Sequence, residues 1–265
     1  MPTGFPDKLR LASEYVRFRF HARSRYRIHS PFLFEMVNEV FRDDRLYYSF
    51  DEIERIRLEL LSDKTGICEG HHGASSKSLN GIRRVNDVIR TAALPAEYGR
   101  LLFRLVNYVH PSCILELGAG AGISTLYLAS AATSVPVITL EGSTVLSKIA
   151  QEQFSAMHLE NVEVMTGPFS ETLPQSLKQF RQPGFIFIDG DHRKESLLNY
   201  FNQCSEVISA NAVIVIDDIY WSQGMKEAWN EIISLPQVTM SIDLFRMGVL
   251  FFREGMKKQH LKVVY

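Results

Sequence analysis

The chain has 265 residues, of which 46% are hydrophobic and 22% charged, and its formal net charge at pH 7 is −1. This composition suits one α/β domain with or without an appendage, and a near-neutral charge gives no general attraction to nucleic acid or membrane lipids. No apolar run approaches the roughly 20 residues of a membrane-spanning helix. The N-terminus lacks an apolar signal core, and three scattered cysteines suggest reduced thiols. We therefore expect a cytoplasmic protein that does not bind membranes.

Helical patterns dominate the beginning of the chain. Apolar periodicity predicts helices over residues 9–20, 31–41 and 51–61, and a polar, glycine-containing loop over residues 62–80. The sequence thus predicts a helical N-terminal extension, or flap, over residues 1–80.

Residues 17–27 combine arginines with aromatic side chains. Such a segment can contact nucleic acid, but the near-neutral chain favours an amphipathic helical flap whose aromatics pack on the main domain and whose arginines face water.

Three alternating glycines lie between a predicted buried strand and a predicted helix. The strand covers residues 113–117, the helix covers residues 123–132, and Gly118, Gly120 and Gly122 stand between them. This geometry brings backbone N–H groups and a helix N-terminus close to a polar ligand. From here strands and helices alternate, which is typical of a parallel sheet covered on both faces.

The glycine spacing indicates which ligand is bound. A dinucleotide fingerprint needs a third glycine where this chain has Ile123. Glu141 ends the next apolar run, about 20 residues after the glycines, where a carboxylate can hold the ribose hydroxyls of an adenosine cofactor. The pattern from Glu116 to Gly122 resembles motif I of the class I S-adenosylmethionine (SAM) dependent methyltransferases, which implies SAM as the cofactor.

Two further apolar strands end in acidic residues. Asp189 follows the strand at residues 185–188, and Asp217 and Asp218 follow the strand at residues 212–216. Because parallel strands end at a shared edge, these carboxylates should converge, and a divalent cation such as Mg²⁺ would relieve their repulsion.

Other interpretations of these aspartates stay open. One acid can remain protonated, or Arg193 or Lys194 can pair with it. The aspartates can also serve as hydrogen-bonding structural groups, and Asp189 can contact the cofactor directly. The turn at residues 166–170 should lie beside the cofactor's base, where Phe169 either stacks on adenine or belongs to the core.

Residues 97–254 resemble the catechol and caffeoyl-CoA type O-methyltransferases, and the related sugar and antibiotic O-methyltransferases with an Asp-Gly-Asp-His signature. In the metal-dependent members, Mg²⁺ is held at the positions that match Asp189, Asp217 and Asp218. The catechol type uses a lysine base where this chain has His192, and imidazole can take a hydroxyl proton near neutral pH. The resemblance therefore implies His192 and Asp189 as catalytic residues.

The resemblance also implies a cofactor set, in which Ser124 contacts the methionine carboxylate of SAM. The expected cofactor residues are Glu116, Gly118, Ala119, Gly120, Gly122, Ser124, Glu141, Gly142, Pro168, Phe169 and Asp189.

The predicted fold is a Rossmann-like, seven-stranded, mostly parallel sheet with an antiparallel last strand and helices on both faces. It occupies residues 81–265, with a hairpin over residues 238–252 and a tail that either adds an edge strand or hangs free. The leading function is O-methylation of a small hydroxylated acceptor. The alternatives are an N- or nucleic-acid methyltransferase and a SAM-binding protein without turnover. Nucleic acid is disfavoured as a partner, and a homodimer is compatible with the helical extension.

Overall fold

The computed structural model describes residues 5–22, 31–68, 82–180, 182–253, 255 and 257–265. The second half of the arginine-rich segment and most of the loop predicted at 62–80 lie outside these residues. The helices are α1 (Phe5–His21), α2 (Pro31–Met36) with a following π-helical turn (Val37–Phe41), α3 (Tyr48–Ser62), α4 (Val85–Ala92), α5 (Ala96–Val109), α6 (Ile123–Ala131), α7 (Thr144–Ala156), α8 (Phe169–Gln179), α9 (Lys194–Ser205) and α10 (Gln223–Ser234). Within the described ranges, none of these helices has both the length and the apolar character needed to cross a membrane.

The strands form one large sheet and one small pair. They are β1 (Gly66–Cys68), β2 (Ile82–Arg84), β3 (Ile114–Leu117), β4 (Val137–Glu141), β5 (Val162–Thr166), β6 (Phe185–Ile188), β7 (Val213–Ile216), β8 (Met240–Asp243), β9 (Gly248–Phe251) and β10 (Gln259–Lys262). The large sheet has the order β10-β8-β9-β7-β6-β3-β4-β5, and β1 pairs with β2 separately. Only β9 in the large sheet runs antiparallel to its neighbours, β7 and β8, among the described strands.

The strand order reverses beside β3. The chain passes from β3 outward through β4 to β5, and then returns to place β6 against the other side of β3. In open α/β sheets the loops after the strands separate at such a reversal and leave a crevice there. The loops after β3 and β6 therefore border the expected ligand site.

Alternation along the strands explains the two layers of helices. Ile114 and Phe185 pack on one face with α2 and α5, whereas Leu115 and Ile186 pack on the other face. All four side chains are fully buried. Strands that are apolar on both sides need cover on both faces, and the apolar stripes of the helices provide it. The predicted Rossmann-like α/β fold is confirmed, and the tail adds β10 to the seven predicted strands.

Two local interpretations need correction. Residues 66–68 form β1 instead of loop, and they pair with residues 82–84, after which α4 begins at Val85. The sequence interpretation also missed α8, which contains Pro174. Proline inside an apolar pattern normally ends a helix, so the local pattern gave no helix signal there.

Helix α1 packs against the loops beside the sheet through one aromatic side. Phe18 is 2% exposed and lies 5.4 Å from the Phe245 ring, whereas Phe20 is 84% exposed. Arg17 and Arg19 face solvent. The packed-flap prediction therefore holds for Phe18 and for the arginines, but not for Phe20.

Candidate active site

The glycine turn after β3 touches the end of β6. Gly118 has φ +102°, and a Cβ atom there would lie 2.0 Å from the carbonyl oxygen of Asp189. The Asp189 amide donates to the Leu117 carbonyl at 2.8 Å, which fixes this approach. Gly120 has φ +55° and no atom within 4 Å of its Cβ position, while a Cβ at Gly122, with φ +90°, would meet α7. The turn thus needs glycine for packing at its two ends and leaves open space at its centre.

Glu141 joins the end of β4 to the glycine turn. Its Oε2 accepts from the Gly120 amide at 2.8 Å, and its Oε1 accepts from the Ser143 amide at 2.8 Å. Ala119 is buried in the turn, and Gly142 is half-buried after the strand. The predicted ribose carboxylate and the glycine loop are therefore brought together.

Glu116 is buried beneath the turn. The hydroxyls of Thr125 and Thr139 donate to its Oε2, the second at 2.6 Å. Its Oε1 is buried with no hydrogen-bond partner among the described atoms. Burial raises the pKa of this carboxyl. One oxygen therefore anchors α6 to the sheet, and the other leaves an acceptor for a ligand's donor.

The remaining predicted cofactor residues divide between core and surface. Ser124 is buried in the first turn of α6, and Pro168 is exposed just before α8. Phe169 covers Gly190, where an added Cβ would lie 2.5 Å from its ring, and it packs edge-on to Tyr200 at 5.6 Å. Phe169 is partly exposed, so it takes part in the core while one portion of its surface stays accessible.

The three predicted aspartates lie at one edge of the sheet, and an arginine pairs with Asp217 and lies near Asp218. Arg246 Nε lies 3.0 Å from Asp217 Oδ1, and Arg246 Nη2 lies 2.8 Å from Asp217 Oδ2. Asp218 Oδ1 is 3.8 Å from the same Nη2. Desolvation, followed by repulsion from Asp217 and Asp218, raises the pKa of Asp189 well above its usual range. One cation and one acid that resists ionisation thus reduce the repulsion among the three carboxyls.

His192 lies beside Asp218 at this edge. Its Nε2 is 3.9 Å from Asp218 Oδ2, and its ring centroid is 5.4 Å from that of Trp221. Burial lowers the pKa of His192 below 6.5, against the opposing effect of Asp218. The imidazole is therefore mainly neutral near pH 7 and able to accept a proton.

The counter-charge comes from a different residue than the sequence suggested. Arg193 pairs with Asp191 at 2.5 Å, and Lys194 lies 3.5 Å from acidic groups of α10. Arg246 was missed because it stands far along the chain, between two apolar strands. The available signal was that single basic residue within the predicted hairpin, since Gly248 pairs with Ile216 and so brings the residues before β9 to the end of β7.

These contacts do not fit a metal site. Among the described residues, no group of three or more His, Cys, Asp and Glu side chains is arranged to hold a metal ion. Both oxygens of Asp217 already accept from Arg246, and its side chain has no exposed surface. A metal ligand must offer an oxygen to the ion at about 2.0–2.6 Å, so Asp217 cannot serve in this arrangement.

Helix α1 and Tyr220 close the side of the site beside Trp221. Arg10 Nη2 donates to the carbonyls of Tyr220 and Trp221 at 3.3 and 2.9 Å. The Tyr220 hydroxyl donates to Asp243 at 2.9 Å, and its ring stacks 4.7 Å from Phe245. Tyr220 therefore supports this wall from inside, while Trp221 retains a partly exposed side chain.

About half of the sequence is similar to known proteins. Residues 115–219 match the profile of a methyltransferase domain. The chain is 30% identical over 135 residues to a catechol O-methyltransferase of Mycobacterium tuberculosis, covering 50% of this chain and 60% of that protein. It is 32% identical over 124 residues to a catechol O-methyltransferase of Niastella koreensis, covering 46% of this chain and 55% of that protein. The matches span a little over half the length of these relatives.

A solved structure shows the same fold. The O-methyltransferase TomG from Streptomyces achromogenes, in complex with SAM, superimposes with a TM-score of 0.58 at 16% identity, covering 82% of this chain and 96% of that chain. Residues 115–219 are thus similar to a methyltransferase domain, and that range contains the glycine turn and the strand reversal that leaves the crevice. The two relatives described above are catechol O-methyltransferases.

Proposed function

We propose that this chain transfers a methyl group from SAM to a hydroxyl oxygen of a small acceptor. The observation that carries the proposal is the placement of His192 at the sheet edge that also holds the glycine turn and Glu141. This arrangement puts a neutral base beside the position expected for an adenosine cofactor. The catechol O-methyltransferase relatives support oxygen as the methylated atom.

The glycine turn and its two glutamates fit the proposed cofactor. The open space at Gly120 lets a ligand approach the backbone, and Glu141 ends β4 where it can accept from ribose hydroxyls. The unpartnered Oε1 of Glu116 offers a buried acceptor to a ligand donor. In this proposal Ser124 contacts the methionine carboxylate, and Pro168 and Phe169 border the adenine.

His192 acts as the general base in the proposed reaction. Its imidazole takes the proton of the acceptor hydroxyl, which makes the oxygen a better nucleophile. Asp218, at 3.9 Å from Nε2, stabilises the imidazolium that forms. Asp189, whose pKa is raised, can donate a hydrogen bond at the same edge while it stays protonated.

Positioning supplies the other part of the rate. SAM, when bound, supplies an electrophilic methyl carbon, and its sulfur keeps the electron pair of the broken C–S bond. The residues of the crevice hold the acceptor oxygen in line with that bond, and such orientation removes much of the entropic barrier. Trp221 and α1 wall the acceptor side.

In addition to SAM, the sequence analysis predicted a divalent cation at Asp189, Asp217 and Asp218. The donor set does not fit it, because Asp217 is fully engaged with Arg246. The proposed mechanism therefore assigns no step to a metal.

The proposal is tested by turnover of SAM to S-adenosylhomocysteine with a panel of phenols, sugars and hydroxy acids. We expect at least one hydroxylated acceptor to be methylated on oxygen, and we expect His192→Gln to bind SAM normally but to lose turnover. Normal SAM binding without turnover on any acceptor would indicate a binding protein. Methylation of amines or nucleic acid alone would refute O-methylation.

The remaining sequence predictions concern the setting of the enzyme. A cytoplasmic location, a homodimer and a division into residues 1–80 and 81–265 stay predictions. The packing of α2 argues against a separate N-terminal domain, since Leu33 and Met36 belong to the same hydrophobic core as β3 and β6. We propose that residues 31–68 act as a fixed cover of that domain.

A further inference from the structure

Arg246 is held in one position by the hairpin that carries it. It lies in the connection between β8 and β9, directly after Phe245, which has φ +70°. The Arg246 carbonyl accepts from the Ile219 amide at 3.0 Å, and the Arg246 amide donates to the Leu244 carbonyl at 2.9 Å. The first bond attaches the turn to the segment that follows β7, and the second lies within the turn. The arginine is therefore fixed beside the strand end that carries the two adjacent aspartates.

The guanidinium fills the position between those aspartates. It binds both oxygens of Asp217 at 3.0 and 2.8 Å and lies 3.8 Å from Asp218. Its Cζ lies 5.6 Å from the ring centroid of Tyr98 on α5. Bidentate pairing and an aromatic face are the contacts that suit a planar guanidinium.

We propose that Arg246 takes the place of a divalent cation in this protein, so that methyl transfer needs no metal. The catalytic part of this assignment rests on the proposed function, whereas the assignment of the cation position does not. Arg246 neutralises Asp217 and lies 3.8 Å from Asp218, and Asp218 in turn lies beside His192. Arg246 is thus a positioning residue that acts on the base through Asp218. A second cation placed at the same carboxylates would be repelled by the guanidinium.

The test compares Arg246→Met, which removes the charge, with Arg246→Lys, which keeps it without the bidentate fork. Arg253→Met is the matched control, because Arg253 follows β9 and covers the Phe32 ring at 4.1 Å, away from the three aspartates. Binding of Mn²⁺ is measured by electron paramagnetic resonance, and thermal unfolding is followed with EDTA or Mg²⁺ present.

We expect wild type and Arg253→Met to bind no stoichiometric Mn²⁺ at millimolar concentration and to keep their Tm in EDTA. Arg246→Met should lose roughly 10 °C in Tm, because a buried carboxylate is left unpaired. It should also gain a Mn²⁺ site that Asp217→Asn abolishes in the same background. Arg246→Lys should keep most of the Tm and bind no Mn²⁺.

Two results would overturn the assignment. One is a stoichiometric Mn²⁺ ion bound to wild type and lost in Asp217→Asn. The other is an Arg246→Met variant whose Tm equals that of the Arg253→Met variant, or an Arg246→Met variant that folds but gains no Mn²⁺ binding. If the Arg246→Met variant does not fold, Mn²⁺ binding by the wild-type protein and by the Arg246→Lys variant still tests the assignment.

The claim that methyl transfer needs no metal is tested by measuring turnover in the presence of EDTA. We expect wild-type turnover to survive, and we expect Arg246→Met to lose at least tenfold in kcat with little change in KM for SAM, with Arg246→Lys recovering part of the loss. Turnover that stops in EDTA and returns with Mg²⁺ would overturn metal independence while leaving O-methylation intact. Failure of every hydroxylated acceptor would instead refute the proposed function, and the Mn²⁺ and Tm results would still stand.

Discussion

Replacement of Gly118 by alanine tests how closely the glycine turn is fitted to the sheet. The added Cβ would lie 2.0 Å from the Asp189 carbonyl oxygen, and that carbonyl belongs to a residue whose amide is bonded to Leu117. Carbon–oxygen contacts begin at about 3.3 Å, so the two segments would have to separate by more than about 1 Å. The alanine would also have to adopt φ +102°.

The cost follows from these two effects. Overpacking of this kind costs about 1–3 kcal/mol, and a left-handed residue with a Cβ costs about 1–2 kcal/mol more. The loss of glycine flexibility in the unfolded chain offsets about 0.4–1 kcal/mol. We expect a net loss of about 2–4 kcal/mol, which corresponds to a Tm lower by roughly 5–15 °C in a domain of this size.

Gly120→Ala is the matched control for this prediction. Its Cβ would meet no atom within 4 Å, although φ is +55°. Strain and reduced unfolded-state entropy nearly cancel there, so the stability should change by about 1 kcal/mol or less. The methyl group would occupy the space proposed for SAM, so calorimetric affinity should fall at least about tenfold, or about 1.4 kcal/mol.

Thermal unfolding followed by circular dichroism, with calorimetric titration of SAM, separates the two variants. A Gly118→Ala protein that melts within about 2 °C of wild type would refute the steric reasoning. Equal destabilisation by both substitutions would refute the distinction between packing and ligand space. Full SAM affinity in Gly120→Ala would remove the cofactor from this turn.

Three further predictions concern the carboxylate, the base and the flap. Glu141→Ala should weaken SAM binding by about tenfold or more, as loss of a charged hydrogen-bond acceptor should, and an unchanged calorimetric affinity would count against the ribose assignment. His192→Gln should lower kcat by about 10²–10⁴. The wild-type rate should fall only below pH 6.5, because burial lowers the pKa of His192 and keeps the base unprotonated to lower pH; an acidic limb above pH 7, or one that persists in His192→Gln, would contradict this role. Phe18→Ala should speed tryptic cleavage within α1 while Phe20→Ala should not, because only Phe18 is buried; equal cleavage rates would show that the ring does not hold the helix.

Sequence patterns predicted most of the strands and helices because these elements depend on the spacing of apolar residues that are close along the chain. Apolar runs such as residues 185–188 are buried on both faces, and the intervening helices follow their own periodicity. Gly118 and Glu141 were found for the same reason, since a turn and a strand end are defined by neighbouring residues. Helix α8 was not predicted because Pro174 interrupts the local helical pattern, although the buried Leu173 packs this helix into the core.

The class of fold, the glycine turn and the convergence of three aspartates at one sheet edge all follow from the order of residues along the chain. The group that balances the charge of these aspartates follows from the packing of distant segments. The nearby cations, Arg193 and Lys194, pair elsewhere, and Arg246 arrives from a hairpin whose antiparallel strand β9 inserts beside β7. Electrostatic partners are selected by distance in space, and a strand inserted out of sequence order brings together residues that no local pattern relates.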